Sequence, residues 1–225
     1  MISFKDVSVK YPLGNIALHN INFTLEAGTF SYLVGPSGAG KTTILRLILG
    51  ELLPSSGTVK VDSFQIGNKK FKDTAKLRQV IGVVFQDFKI LAEKNIFENI
   101  AVGMYIKGFN KAHIQQEVIE ALEVVGLPQK AHLFPAQLSA GELQRVAIAR
   151  AIVGNRKIIL ADEPTGNLDP KTTWEIMKIF KNLEKEKTIL FATHNTDIVN
   201  SMKRRVLVIS DGQITKDKKK GGYEL

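Results

Sequence analysis

The sequence predicts an α/β fold: a parallel β-sheet core with a small β lobe near the start and a helical insertion in the middle. Three observations predict it. Short apolar runs at Phe30–Val34, Ile81–Phe85, Lys157–Ala161 and Thr188–Thr193 read as strands buried on both faces. Helical patterns follow the first, third and fourth of these runs, as βα alternation requires. From about Asp87 to Ala151 the pattern is mostly helical.

Taken in order, Val7, Val9 and Tyr11 alternate with polar residues, as do Ile21, Phe23 and Leu25, so both stretches read as strands of the β lobe. The Phe30–Val34 strand ends at Gly35, and Thr42–Leu49 reads as a helix stopped by Gly50. Pro54-Ser55-Ser56-Gly57 is a turn before a strand at Thr58–Val61. Residues 63–76 have little periodicity and several lysines, which predicts a surface loop with one helical turn at most. Asn95 and Glu98 form a capping-box pair at the start of a short helix. Asn110 caps a second helix, with Ile114, Val118, Leu122 and Val125 on one face and Gly126 as its stop. The alternation then resumes with a helix at Pro170–Leu183, another from about Asn195, a strand at Val206–Ile209 and a hairpin-like turn at Asp211-Gly212. No internal repeat is visible. The basic tail, about 216–225, is rich in lysine and glycine and is expected to fray as a solvated end.

Composition narrows the function. The chain has 225 residues, 44% hydrophobic and 24% charged, which is ordinary for a globular protein and excludes a disordered or fibrous one. That length suits one large domain, or one with a small lobe. Lys and Arg number 31 against 22 Asp and Glu, a net charge of +9, so an anionic partner is expected: nucleotide, nucleic acid or a membrane inner leaflet. The absence of cysteine excludes disulfides, thiolate metal sites and cysteine nucleophiles. The N-terminus lacks the apolar stretch of a secretory signal, and no apolar run approaches the ~18 residues of a spanning helix. The chain is expected to be soluble by itself, with any membrane role supplied through a partner.

Two motifs carry chemistry. Gly35-Pro36-Ser37-Gly38-Ala39-Gly40-Lys41-Thr42 fits G-x-x-x-x-G-K-[ST] between a buried strand and a helix, and Thr43 is counted with it as nucleotide-binding. Small residues let backbone N–H groups curl around phosphate oxygens, and the helix adds its positive end. Lys41 is placed to reach the β- and γ-phosphates, and the Thr42 hydroxyl to meet Mg²⁺. The strand at Ile158 then runs into Asp162-Glu163. Two carboxylates at the edge of a core need a reason to be there, and ligands of parallel sheets bind at strand carboxyl ends. Asp162 is expected to help hold Mg²⁺, while strand alternation aims Glu163 elsewhere, free to polarise a water.

Leu138-Ser139-Ala140-Gly141-Glu142-Leu143-Gln144-Arg145 adds a capped helix, Ser139 and Glu142 forming the box, with Gly141 leaving backbone exposed in the first turn as a second phosphate-binding surface. At this point the chain resembles the ATP-binding cassette (ABC) ATPases over nearly its whole length. That resemblance implies a P-loop NTPase fold: a RecA-like parallel-sheet core, an N-terminal antiparallel β lobe and a helical subdomain at about 87–151, in one domain over 1–225. It also implies that Tyr11 stacks on adenine, that Gln86 joins Thr42 and Asp162 around Mg²⁺, that Asn167-Leu168-Asp169 is a D-loop and that His194 is the switch histidine. Each has a plainer reading: Tyr11 packing before Pro12, a solvated Gln86, a surface His194, Asp169 as a helix cap. Their joint order argues against coincidence.

The resemblance further implies an ATP-dependent homodimer in which Ser139, Gly141 and Glu142 of one copy meet the γ-phosphate held by the other, with Glu163 as base, His194 as stabiliser and Lys41 as charge clamp. Ala140 departs from the family's usual first glycine; its Cβ is expected to crowd the phosphate slightly, and binding to survive in weakened form. The segment from Gln86 to Leu91 is similar to that of the cell-division branch of the family. Those ATPases sit at the cytoplasmic face of the membrane beside an integral membrane subunit and regulate cell-wall hydrolases. A true transporter ATPase, of the lipoprotein-release or macrolide-export type, uses the same motifs and is the competing reading. A nucleic-acid factor is disfavoured because such family members carry two cassettes or a coiled-coil insertion, and a scaffold without turnover stays open.

Overall fold

The computed structural model describes residues 1–12, 14–67, 69 and 71–221. The chain divides into two compact units, Met1–Arg78 with Glu186–Leu225, and Gln79–Lys185.

In the first unit, β1 (Ile2–Lys10), β2 (Ile16–Leu25), β4 (Ser56–Val61) and β5 (Phe64–Ile66) form an antiparallel sheet of order β2-β1-β4-β5. Alternation buries Ile2, Phe4, Val7 and Val9 on one face, and Phe4 stacks on Phe23 at 4.5 Å. β1 bulges at Asp6, whose φ is 51°, and Gly57 fits against it because a Cβ there would lie 2.2 Å from the Asp6 carbonyl oxygen. The lobe is larger than expected. β4 begins two residues before Thr58, and the predicted loop at 63–76 contains β5 and the start of α2 (Thr74–Gln79). Three residues of strand carry too little alternation to be read; pairing of Val59 with Ile66 and Val61 with Phe64 creates β5.

The same unit holds β3 (Phe30–Val34), β8 (Thr188–Thr193) and β9 (Arg205–Ser210), with β3 parallel to both others. Every residue of β3 and β8 is buried, which explains their unbroken apolar runs. Phe30, Tyr32 and Phe191 form an aromatic cluster beneath them, Tyr32 and Phe191 meeting edge-on at 5.5 Å. Helix α1 (Lys41–Ile48) follows β3, and α7 (Thr196–Met202) follows β8. The expected hairpin is present: Asp211 and Gly212 have φ of 48° and 72°, turning β9 into β10 (Gln213–Lys218). The tail therefore does not fray at Lys216. Lys216, Asp217 and Lys218 pair with β9, and Asp217 takes the Arg205 guanidinium at 2.7 Å. The rest of that predicted tail, from Gly222, lies outside the described residues.

In the second unit β6 (Ile81–Phe85) runs parallel to β7 (Ile158–Asp162). Helices α3 (Ile96–Ile106), α4 (Lys111–Val124), α5 (Ala140–Ile152) and α6 (Pro170–Leu183) complete it. The caps are those the sequence advertises: Asn95 with Glu98, Asn110, Ser139 with Glu142, and Asp169. Gly82 lets α5 press against β6, since a Cβ there would lie 1.9 Å from the Ala151 carbonyl oxygen. Val146, Ala147, Ile148 and Ala149 are buried along α5.

Candidate active site

The first unit presents a bare helix end. Helices α3 to α7 each have an N-cap side chain accepting a backbone N–H; α1 is capped by Gly40, with no side-chain bond and no acidic residue in its first turn. No side chain caps that end, and the helix dipole there favours an anion. Gly40 has φ of 112°, and a Cβ there would meet Leu18 Cδ2 at 2.7 Å. At Gly35 a Cβ would fall 2.1 Å from the Ile209 carbonyl oxygen, so only glycine lets the loop leave β3 beside β9. Lys41 is buried and donates from Nζ to the carbonyls of Gly35, at 2.7 Å, and Pro36, at 3.1 Å. The loop wraps its own lysine and holds the ammonium at the mouth of the cradle.

Parallel pairing sets the neighbours of that loop. The rung Val34–Thr193 places Gly35 and His194 one step further along adjacent strands. His194 is exposed, and Asn195 directly after it caps α7. Tyr11 is half-buried at the end of β1, in a turn closed by its N–H on the Asn15 carbonyl at 2.9 Å and by the Gly14 N–H on its own carbonyl. Thr42 is exposed on the first turn of α1 and Thr43 half-buried beside it.

The second unit gathers the carboxylates. The rung Phe85–Asp162 puts Gln86 next to Glu163. Gln86 Nε2 donates to Asn167 Oδ1 at 3.3 Å, across a turn closed by the Gly166 N–H on the Glu163 carbonyl. Gln86, Asp162, Glu163 and Asn167 are thus brought together. One expectation is corrected here. Strand alternation does not orient Glu163: β7 ends at Asp162, and Glu163 has a left-handed φ of 48°. A non-glycine residue held there costs about 1–3 kcal/mol, a strain that clusters at functional sites.

The signature turn is as predicted in its caps and different at its glycine. Ser139 Oγ accepts the Glu142 N–H at 3.4 Å, and Glu142 Oε2 accepts the Ser139 N–H at 2.9 Å. Gly141 is half-buried, and a Cβ there would lie 2.4 Å from Thr172 Cγ2, so its missing side chain admits α6 as well as exposing backbone. Ala140 is exposed. Asp169 caps α6 through the Thr172 N–H at 3.0 Å, and the Thr172 hydrogen bonds hold its carboxyl below the usual range.

Sequence reasoning passed over Arg150. Its Nη1 donates to the Lys89 carbonyl at 2.5 Å and its Nη2 to that of Phe88 at 2.6 Å, fixing the segment after Gln86. Phe88 and Lys89 both have positive φ, 58° and 50°. Buried Asn99 anchors the far end of the segment through the N–H and carbonyl of Leu91. Nothing in a helical Ala-Arg-Ala run signals a partner 62 residues away.

A family model described as ABC transporter matches residues 18–166. The chain belongs to the ABC transporter family. It is an ATPase of that family and its nucleotide is ATP. It is 46% identical over 224 residues to Cell division ATP-binding protein FtsE of Streptococcus pneumoniae serotype 2 (strain D39 / NCTC 7466), covering 99% of this chain and 97% of that one. The protein of the same name from Bacillus subtilis (strain 168) is also 46% identical over 224 residues, with 99% and 98% covered. That of Escherichia coli (strain K12) is 40% identical over 215 residues, with 95% and 97% covered. Among solved structures, MJ0796, a bacterial ABC transporter cassette seen as a dimer, superposes with a TM-score of 0.87 at 34% identity over 99% of this chain and 100% of that one. The same cassette is known as a dimer in a post-hydrolysis state with ADP and Pi, at 0.87 and 33%, with the same coverage. The parallel core and antiparallel lobe predicted from the sequence are those of an ABC cassette.

Proposed function

We propose that this chain is the ATP-hydrolysing subunit of a membrane complex of the cell-division type, working as an ATP-closed homodimer beside an FtsX-like integral membrane subunit. The observation that carries the nucleotide role is the uncapped N-terminus of α1 with Lys41 held over it. Near full-length identity of 46% to proteins named for cell division carries the cellular role. The likeness to the cell-division proteins supports placing the chain peripherally, at the cytoplasmic face, through its partner; no helix of the described residues is long and apolar enough to cross a membrane.

The site residues divide the work. The N–H groups of Gly38 and of Gly40 to Thr43 and the Lys41 ammonium bind the β- and γ-phosphates, with Gly35, Pro36, Ser37 and Ala39, whose own N–H closes on the Pro36 carbonyl, shaping the turn. Tyr11 offers a face to the base. Thr42, Gln86 and Asp162 would hold Mg²⁺. The donor set fits: one carboxylate with neutral oxygens suits a cation that keeps its waters and shares phosphate oxygens, and the described residues offer no cluster of three or more carboxylates or histidines that would compete. Bound there, the ion would supply charge neutralisation to the phosphates. Glu163 takes a proton from the attacking water, and His194 supports the γ-phosphate oxygens. Ser139, Gly141 and Glu142 of the second copy complete the site, so ATP affinity is greater in the closed dimer and drives closure.

Depletion of the chain in its host tests the role. Failure of septation, rescued by the wild type and not by Glu163→Gln, is the expected result. Normal division with loss of lipoprotein release or drug export would favour the transporter reading.

A further inference from the structure

The carboxylate of Glu142 sits at the N-terminus of α5 and serves two partners. Its Oε2 takes the Ser139 N–H at 2.9 Å and the Ser139 hydroxyl at 3.1 Å. Its Oε1 takes the Lys130 ammonium at 2.8 Å. Lys130 ends a short 3₁₀ turn, Pro128–Lys130, that starts at proline and is preceded by buried Leu127. Its backbone is therefore held on both sides of the contact, its own N–H on the Leu127 carbonyl and its carbonyl on the Leu133 N–H. Both side chains are partly shielded, at 35% and 27% exposure, so the pair is screened less than an open surface bridge.

A full negative charge at this turn is a problem for the function proposed above. The positive end of α5, where Ala140 is exposed, is what the turn offers a triphosphate, yet its own cap is an anion. Like charges a few ångströms apart repel strongly in a water-poor interface. Lys130 turns the cap into a neutral pair without removing the hydrogen bonds that form it.

We propose that Lys130 is a positioning residue of the signature turn: by neutralising and orienting Glu142 it makes the N-terminus of α5 acceptable to the γ-phosphate held by a second copy of this chain. This rests on the reading of ATP as the bridge between two copies.

The test uses the full chain with Glu163→Gln as parent, and measures the ATP concentration at half-maximal self-association by sedimentation. Lys130→Met is expected to raise it roughly tenfold, and the gap to narrow in high salt. Lys130→Arg should match the parent. Lys130→Met with Glu142→Gln should return to within about twofold of Glu142→Gln alone, because a neutral cap needs no counter-charge. Lys130→Met that associates like the parent, or a loss that Glu142→Gln does not restore, overturns the proposal. A Glu163→Gln parent that never associates with ATP overturns the bridging reading first, and the proposal with it.

Discussion

The ammonium of Lys41 lies 2.7 Å from the carbonyl oxygen of Gly35, the residue that opens its own loop. The lysine is pre-placed, so binding of a triphosphate exchanges neutral carbonyl acceptors for anionic phosphate oxygens without first ordering a side chain. Lys41→Ala should weaken ATP binding by at least about tenfold, from the roughly 1.5–3 kcal/mol of a hydrogen bond to a charged group. Calorimetry measures it. Unchanged affinity would contradict the clamp.

Glu163→Gln separates binding from turnover. Glutamine keeps the size of the side chain and tolerates the left-handed backbone no worse than glutamate, so the turn at Gly166 should survive. What is lost is the basic oxygen. A positioned general base contributes ~10²–10⁴ in rate, so phosphate release should fall by about that factor while ATP affinity holds. Hydrolysis at the wild-type rate would remove Glu163 from the mechanism.

These residues show how the sequence does and does not speak. Gly35–Thr42, Asp162 and Ser139–Glu142 were legible because each motif sits on an element whose ends were also legible: β3 by its apolar run, α5 by its capping box. β10 was not, because Gln213–Lys218 carries no apolar alternation and is a strand only by pairing with β9. The direction of Glu163 was misread for a related reason. Alternation holds within a strand, and β7 stops one residue earlier. Arg150 was invisible because its partners are backbone carbonyls, which have no residue type to match.

The Glu142 cap predicts a pH dependence. Lys130 first, then the Ser139 N–H, pull the Glu142 pKa from 4.5 down to about 2. A lowered folded-state pKa adds stability that is complete above the unfolded value, near 4.5, and fades as pH falls towards 2. Lys130→Met removes the largest cause. The melting-temperature gap between the two proteins should therefore be larger at pH 6 than at pH 3. A gap that grows on acidification would place the effect elsewhere.

Arg150→Met should loosen the segment that follows Gln86. Burial lowers the Arg150 pKa, with Arg156 nearby adding to the effect, so this guanidinium is held at a cost and its two carbonyl acceptors must offset it. Methionine keeps most of the packing and deletes both bonds, for a loss of about 1–3 kcal/mol. Phe88 and Lys89 would then be free to leave the left-handed region that they adopt at a cost. Glycine pays little to stay there, so Lys89→Gly should recover part of the loss, and urea unfolding of the four proteins in the cycle measures that coupling. Additive effects of the two substitutions would show that Arg150 stabilises α5 without holding this loop.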